Sequence, residues 1–144
     1  MACFAYALKL LSRRDYFETE LRERLQNNFS PEQIEQTAAE LKRLNYIDDE
    51  RLLDNFIRWQ LKKGHGERYI RLALNRKGVD CSMEEIRRIA STDDKSLSAL
   101  MQYAEKYYSR KSGVSQQSCF RYLAARGFLA EDILAVLNKL KRGD

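Results

Sequence analysis

Proline is nearly absent from this chain, with Pro31 as its single instance, and glycine occurs only six times. That excludes a Pro/Gly-rich linker and a turn-dense β-sandwich. Histidine is equally scarce: His65 stands alone. The three cysteines, Cys3, Cys81 and Cys119, are odd in number, far apart and without a Cys-x-x-Cys pair. No zinc site can be assembled from that spacing, and free thiols in a reducing compartment are the reading. No apolar run approaches the roughly 20 residues of a membrane span. The opening residues also lack a signal peptide's basic start and long apolar middle, so a cytoplasmic protein is expected. Missing too are a Gly-rich phosphate loop, a nucleotide fingerprint and a serine or cysteine set up as a nucleophile. The chain therefore reads as a non-enzyme that uses no metal and no cofactor.

What the chain does have is helical periodicity. Its 44% apolar and 33% charged residues suit an all-α array in which each unit buries a modest core against its neighbours. Leu8, Leu10 and Leu11 mark a first helix over about 5–12, and Leu21 and Leu25 a second over 18–26. Ser30-Pro31-Glu32-Gln33 is a helix start, with serine as cap, proline at the first position and glutamine three residues on. A third helix then carries Ile34, Ala38, Leu41 and Leu44 to Asn45, which tolerates the left-handed terminal conformation. Asp48 and Asp49 open a fourth, in which Leu52, Leu53, Phe56, Ile57 and Leu61 fill one broad face. After a Lys63-Gly64-His65-Gly66 turn, a fifth helix turns Ile70 and Leu74 inward. Ser82-Met83-Glu84-Glu85 opens a sixth helix, with Ile86, Ile89 and Ala90. Thr92-Asp93-Asp94 opens a seventh, with Leu97, Leu100, Met101, Ala104 and Tyr108. Ser109 to Val114 is the most loop-like stretch. Ser115 starts an eighth, with Cys119, Phe120 and Leu123, and a ninth carries Ile133, Leu134, Leu137 and Leu140 to a basic end at Lys139-Leu140-Lys141-Arg142.

These nine helices fall into three sets of three. Leu25, Leu74 and Leu123 recur at intervals of 49 residues. Each is preceded four residues earlier by Leu21, Ile70 or Cys119 and followed by a helix carrying Ile34, Ile86 or Ile133. Gly78 and Gly127 follow at one common offset, with Asn28 nearby in the first set. A repeat of this length is a tandem supersecondary unit. The expected units are 1–47, 48–92 and 93–144.

The net charge of +5 is unevenly placed. Residues 1–50 carry 7 basic against 10 acidic residues, residues 51–79 carry 8 against 2, and residues 80–144 carry 11 against 9. The excess lies in the central set, which points to an acidic partner, phosphate or carboxylate. There Arg51, Asn55, Arg58 and Lys62 share one helical stripe, opposite the apolar one, and Arg68, Arg71 and Asn75 face outward from the next helix. A merely solvated face interleaves both signs, and this one does not. The candidate binding residues are Arg51, Arg58, Lys62, Lys63, His65, Arg68, Arg71, Arg76, Lys77 and Arg126. Asp48 and Asp49 are read as caps rather than catalytic carboxylates. Gly64, Gly66, Gly78 and Gly127 are read as helix ends where a Cβ is disfavoured. Trp59, Tyr69, Tyr103, Tyr107, Tyr108 and Tyr122 invite a base-stacking reading, but most are expected in core or rim packing.

The run Asn45-Tyr46-Ile47-Asp48-Asp49, with Arg58, Lys63-Gly64-His65-Gly66, Ile70-Arg71, Leu74 and Lys77-Gly78-Val79, closely resembles the RecX family of recombination regulators. The flanks agree: Glu20-Leu21-Arg22 with Leu25 before it, and Leu123-Ala124-Ala125-Arg126-Gly127-Phe128 after it. The likeness covers nearly the whole chain, and its central motif is the specific part. Asn45 replaces the family's usual glycine, Phe17 a capping serine, Asn27-Asn28 a Lys-Gly pair and Ala73 a common acidic residue.

The resemblance implies an elongated, curved array of three tri-helical repeats, monomeric, that binds the RecA recombinase filament on DNA. Such proteins lodge in the filament groove and depress ATPase, strand-exchange and coprotease activities, modulating recombinational DNA repair and the SOS response. Two other readings stay open from the residues themselves. One is a helical module binding single-stranded DNA directly through the central basic face. The other is a helical-repeat adaptor for some other acidic protein.

Overall fold

The computed structural model describes residues 2–91, 95–110 and 115–141, with side chains described for 2–90, 100–107 and 115–140. The helix start at Thr92-Asp93-Asp94, the side chains of Leu97 and Tyr108, the stretch 111–114 and the charged side chains at 141 and 142 lie outside them. Nine helices run through the described residues: α1 (Ala2–Leu11), α2 (Glu18–Gln26), α3 (Pro31–Arg43), α4 (Asp49–Lys62), α5 (Glu67–Arg76), α6 (Met83–Ser91), α7 (Lys95–Arg110), α8 (Gln116–Ala125) and α9 (Ala130–Lys141). The protein is all-α. Helix α1 begins three residues before the expected start, and α7 continues through Arg110, into the stretch read as loop.

The caps explain most of these boundaries. Ser30 Oγ accepts from the Gln33 amide at 3.3 Å, while the Ser30 amide donates to Gln33 Oε1 at 3.0 Å. Ser82 and Ser115 accept from the amides of Glu85 and Ser118, both at 3.1 Å. Asp48 Oδ1 accepts from the Arg51 amide at 3.3 Å, so it caps its own helix as expected. Asp49 does something else: its Oδ1 accepts from the Glu18 amide at 3.0 Å. Phe17, at the N-cap of α2, has no oxygen to offer, and a carboxylate 31 residues away satisfies that helix end.

At their C-termini, α3, α4 and α8 end alike. Asn45, Gly64 and Gly127 have φ of +62°, +88° and +94°. In each case the next residue's amide reaches back to the third-last helical carbonyl: Tyr46 to Leu41, His65 to Gln60, Phe128 to Leu123. Gly78, after α5, has φ +76°. Asn28 does not join them. Asn45 is the one non-glycine residue with positive φ among the described residues.

Contacts divide the chain into two compact units, residues 1–55 with 75–80 and residues 56–74 with 81–144. The chain passes between them within α4 and again within α5. In the first unit α1, α2 and α3 pack on one another around Cys3, Ala7, Leu10, Leu21, Leu25, Ile34, Leu41 and Ile47. In the second, α7, α8 and α9 pack on one another around Leu100, Ala104, Cys119, Leu123, Phe128, Ile133, Val136 and Leu137. That unit also buries Ile57, Leu61, Ile70, Leu74, Ile86 and Ile89.

The 49-residue correspondence holds in burial: Leu25, Leu74 and Leu123, their partners Leu21, Ile70 and Cys119, and Ile34, Ile86 and Ile133 are all buried. Other expected core positions are not. Leu134 and Leu44 are exposed, Val136 rather than Leu134 fills the core beside Ile133, and Leu52, Leu53 and Phe56 are only half-buried. Leu44 is the C-cap of α3, where the turn leaves the packed stripe.

Candidate partner-binding surface

Of the candidates, Arg58, Lys62, Lys63, His65, Arg68 and Arg71 lie in the second unit, along the end of α4, the turn that follows, and α5. Within the second unit this turn is clamped by the end of α8. Arg126 Nε donates to the Gly64 carbonyl at 2.8 Å, and its Nη2 to the Lys63 carbonyl at 3.0 Å. Tyr103 Oη donates to that same Lys63 carbonyl at 2.7 Å. In return the Gly66 and Arg68 amides donate to the carbonyls of Arg126 and Gly127 at 2.8 and 2.9 Å. The Arg126 guanidinium also lies 4.6 Å from the centre of the Tyr103 ring. Arg126, chosen from sequence as a binding residue, is thus engaged in holding the turn.

Gly66 is here for a different reason from the one its sequence suggested. Its φ is not positive, and it precedes α5 rather than ending a helix. A Cβ on it would meet the backbone of Gly127 and Phe128. Gly64 carries both constraints, left-handed backbone and a Tyr103 ring occupying the space a side chain would need.

His65 is half-buried. Its ring stacks on Tyr69 at 3.8 Å between centroids, and its Nδ1 lies 2.6 Å from Gln60 Oε1. Burial pulls its pKa below the ordinary 6.5, and the charges of Arg126 and Lys63 push the same way. A neutral imidazole is what this turn holds near neutral pH, so His65 adds no positive charge there. Glu67 is buried in the first turn of α5, with Oε2 lacking a hydrogen-bond partner. Burial raises its pKa above the ordinary value, and Asp132 raises it further while Arg87 opposes.

Along the second-unit parts of α4 and α5 and the turn between them, the exposed charge is of one sign. Lys62, Lys63, Arg68 and Arg71 are exposed in the second unit, and Arg58 is half-buried and engaged. Of the two acidic residues between 51 and 79, Glu67 is buried and Asp54 half-buried. Arg51, Arg76 and Lys77 belong to the first unit, where Lys77 Nζ pairs with Glu20 at 3.1 Å. Arg51 there lines a polar cleft of about 580 Å³ with Asp15, Tyr46, Asp48 and Asn55. The expectation that most aromatics pack in core or rim meets two exceptions. Trp59 is 55% exposed, with Lys63 Nζ 3.9 Å from its ring centre, and Tyr69 is 40% exposed. Sequence reasoning missed Gln60 and Tyr103 as parts of the turn. Gln60 is a polar residue on the inward stripe of α4, a signal that could have been noticed; Tyr103, 40 residues from its partner, offered none.

Among the described residues no cluster of His, Cys, Asp and Glu could hold a metal ion, and no helix is long and apolar enough to cross a membrane. Residues 3–41 match the family described as RecX, first three-helix domain. Similar proteins named regulatory protein RecX occur in Mannheimia succiniciproducens, 35% identical with 90% of this chain and 88% of that protein covered, and in Legionella pneumophila, 32% identical with 96% and 94% covered. The fold resembles the crystal structure of RecX from Lactobacillus salivarius, with a TM-score of 0.84 at 22% identity over 97% of this chain and 95% of that one. The chain belongs to the RecX family of regulatory proteins.

Proposed function

We propose that this protein binds filaments of the RecA recombinase and inhibits their ATPase, strand-exchange and coprotease activities, acting in the cytoplasm as a monomeric, non-enzymatic regulator. The observation that carries this reading is family membership together with an exposed cationic surface on α4 and α5 that shows no exposed acid between Arg51 and Val79. A partner met through such a surface must be acidic. We also propose that units 1–47, 48–92 and 93–144 are tandem copies of one tri-helical unit. The shared burial of Leu25, Leu74 and Leu123 supports that.

The test is ATP turnover by RecA assembled on single-stranded DNA, with and without the purified protein. A lowered rate that recovers when Lys62 and Arg71 are changed together to glutamine is expected. An unchanged rate at saturating protein would sink the proposal.

One observation favours a second reading, direct binding of single-stranded DNA. The exposed Trp59 ring with Lys63 over it is the pairing of stacking surface and cation that single strands use. Tight, salt-dependent binding of an oligonucleotide without RecA, lost in Trp59→Ala, would favour it.

A further inference from the structure

Some arginines of this protein are ion-paired. Arg14 meets Glu20, Arg22 meets Glu18 and Glu35, Arg43 meets Glu40, Arg87 meets Glu131 and Asp132, and Arg88 meets Glu85. The side chains of Arg68 and Arg71 on α5 are not: among the described residues neither has an ion pair or side-chain hydrogen bond, and both are exposed. On the same exposed arc stands Leu72, about 40° round from Arg68 on the side away from Arg71. At 60% exposure it is the most exposed large apolar side chain of the described residues, and it sits one turn beyond Arg68. Tyr69, three residues before Leu72 and so on the same side, is itself 40% exposed and held by its stack on His65.

A lone exposed leucine is ordinary. This one is set among arginines whose acid partners are missing from the protein itself, beside a ring fixed in place by its neighbour. Ile70 and Leu74 on the opposite side are fully buried, so α5 already satisfies the core without Leu72. Phosphate would satisfy the guanidinium groups as well as carboxylate, but a phosphodiester backbone offers Leu72 no apolar surface. A protein surface offers both.

We infer that residues 68–72 of α5 form a docking face for an acidic protein surface: carboxylates received by Arg68 and Arg71 beside a small apolar patch that covers Leu72 and Tyr69. This rests on the proposed function and deepens it, because it assigns the contact to carboxylates of a protein rather than to DNA phosphates.

The experiment compares the parent with Leu72→Ser, Leu72→Met and the double variant Arg68→Gln/Arg71→Gln. Binding is measured to RecA filaments on single-stranded DNA and, separately, to a naked thymidine oligonucleotide. Circular dichroism should be the same for all four, since none of these side chains supports the core. Leu72→Ser should weaken filament binding by about tenfold, as loss of a central apolar anchor does, with oligonucleotide binding unchanged and Leu72→Met near the parent. The double variant should weaken filament binding and flatten its salt dependence. Parent-like filament binding by Leu72→Ser, or an equal loss toward the oligonucleotide, would overturn the inference. Should the parent ignore the filament altogether, the proposed function fails, and a synthetic helical peptide with leucine flanked by glutamates decides the inference separately. Preference for it over its serine counterpart, lost in Leu72→Ser, upholds the docking face; equal binding of the two peptides rejects it.

Discussion

The guanidinium of Arg126 donates to the Gly64 carbonyl at 2.8 Å, tying together residues 62 apart in the sequence. Gly64 and Lys63 close α4, and carbonyls at a helix C-terminus lack intrahelical donors and carry the negative end of its dipole. A planar cation with several N–H groups answers both needs at once. Arg126→Ala should therefore destabilise the second unit by about 1–3 kcal/mol, because it strips the Gly64 carbonyl of its donor and leaves the Lys63 carbonyl to Tyr103 alone. Arg126→Lys should recover only part, since an ammonium cannot reproduce the fork. Denaturant midpoints check this, and equal stability of all three proteins would show that water replaces Arg126 freely.

Gly66 and Gly78 should respond to alanine in an order that their helix-end positions do not suggest. Gly78 has φ +76°, but an added Cβ would lie 3.4 Å from Thr19 Oγ1, an ordinary contact. Gly78→Ala should cost roughly 1 kcal/mol, the strain of a left-handed alanine. Gly66 has no such φ, yet its Cβ would meet the backbone of Phe128, which cannot rotate away as a side chain does. Gly66→Ala should cost more, and melting temperatures of the two variants rank them. The reverse order would mean that the turn opens easily.

Asp49→Ala should act on α2 rather than on α4. The Asp49 carboxylate caps the Glu18 amide, while Asp48 serves α4. A loss of roughly 1 kcal/mol is expected from removing a cap. Faster amide hydrogen exchange at residues 18–20, with 49–52 little changed, is the signature to look for.

Glu67 should make stability depend on pH in the direction opposite to most carboxylates. Its folded-state pKa is raised, chiefly by burial and then by Asp132. The native state therefore holds the proton at pH values where the unfolded chain has released it, and stability falls as pH rises through that window. Glu67→Gln should be more stable than the parent at pH 7, with the advantage shrinking as pH falls toward the ordinary glutamate value of 4.5. Melting temperatures at several pH values test it, and a constant difference would assign the effect to packing instead.

Much of this protein was legible before any tertiary structure. Helix starts at Ser30, Asp48, Ser82 and Ser115 and stops at Asn45, Gly64, Gly78 and Gly127 are local events. They depend on one side-chain oxygen, or one residue able to take positive φ, within four positions of the boundary. The 49-residue recurrence of Leu25, Leu74 and Leu123 was visible because each tri-helical set asks for the same buried side chain. Charge clustering between 51 and 79 was a matter of counting.

Tertiary structure alone decided how those pieces are used. It sent the Asp49 carboxylate to α2, made Arg126 and His65 parts of a clamped turn, and made Gly66 a point of backbone contact. It also buried Glu67, exposed Leu134 and left Leu72 exposed beside the unpaired Arg68. Periodicity states which side of a helix is apolar, but not which neighbour meets each residue along that side, nor which charge finds a partner 31 or 62 residues away. Those outcomes depend on the approach of distant segments, and a sequence carries no local mark of them.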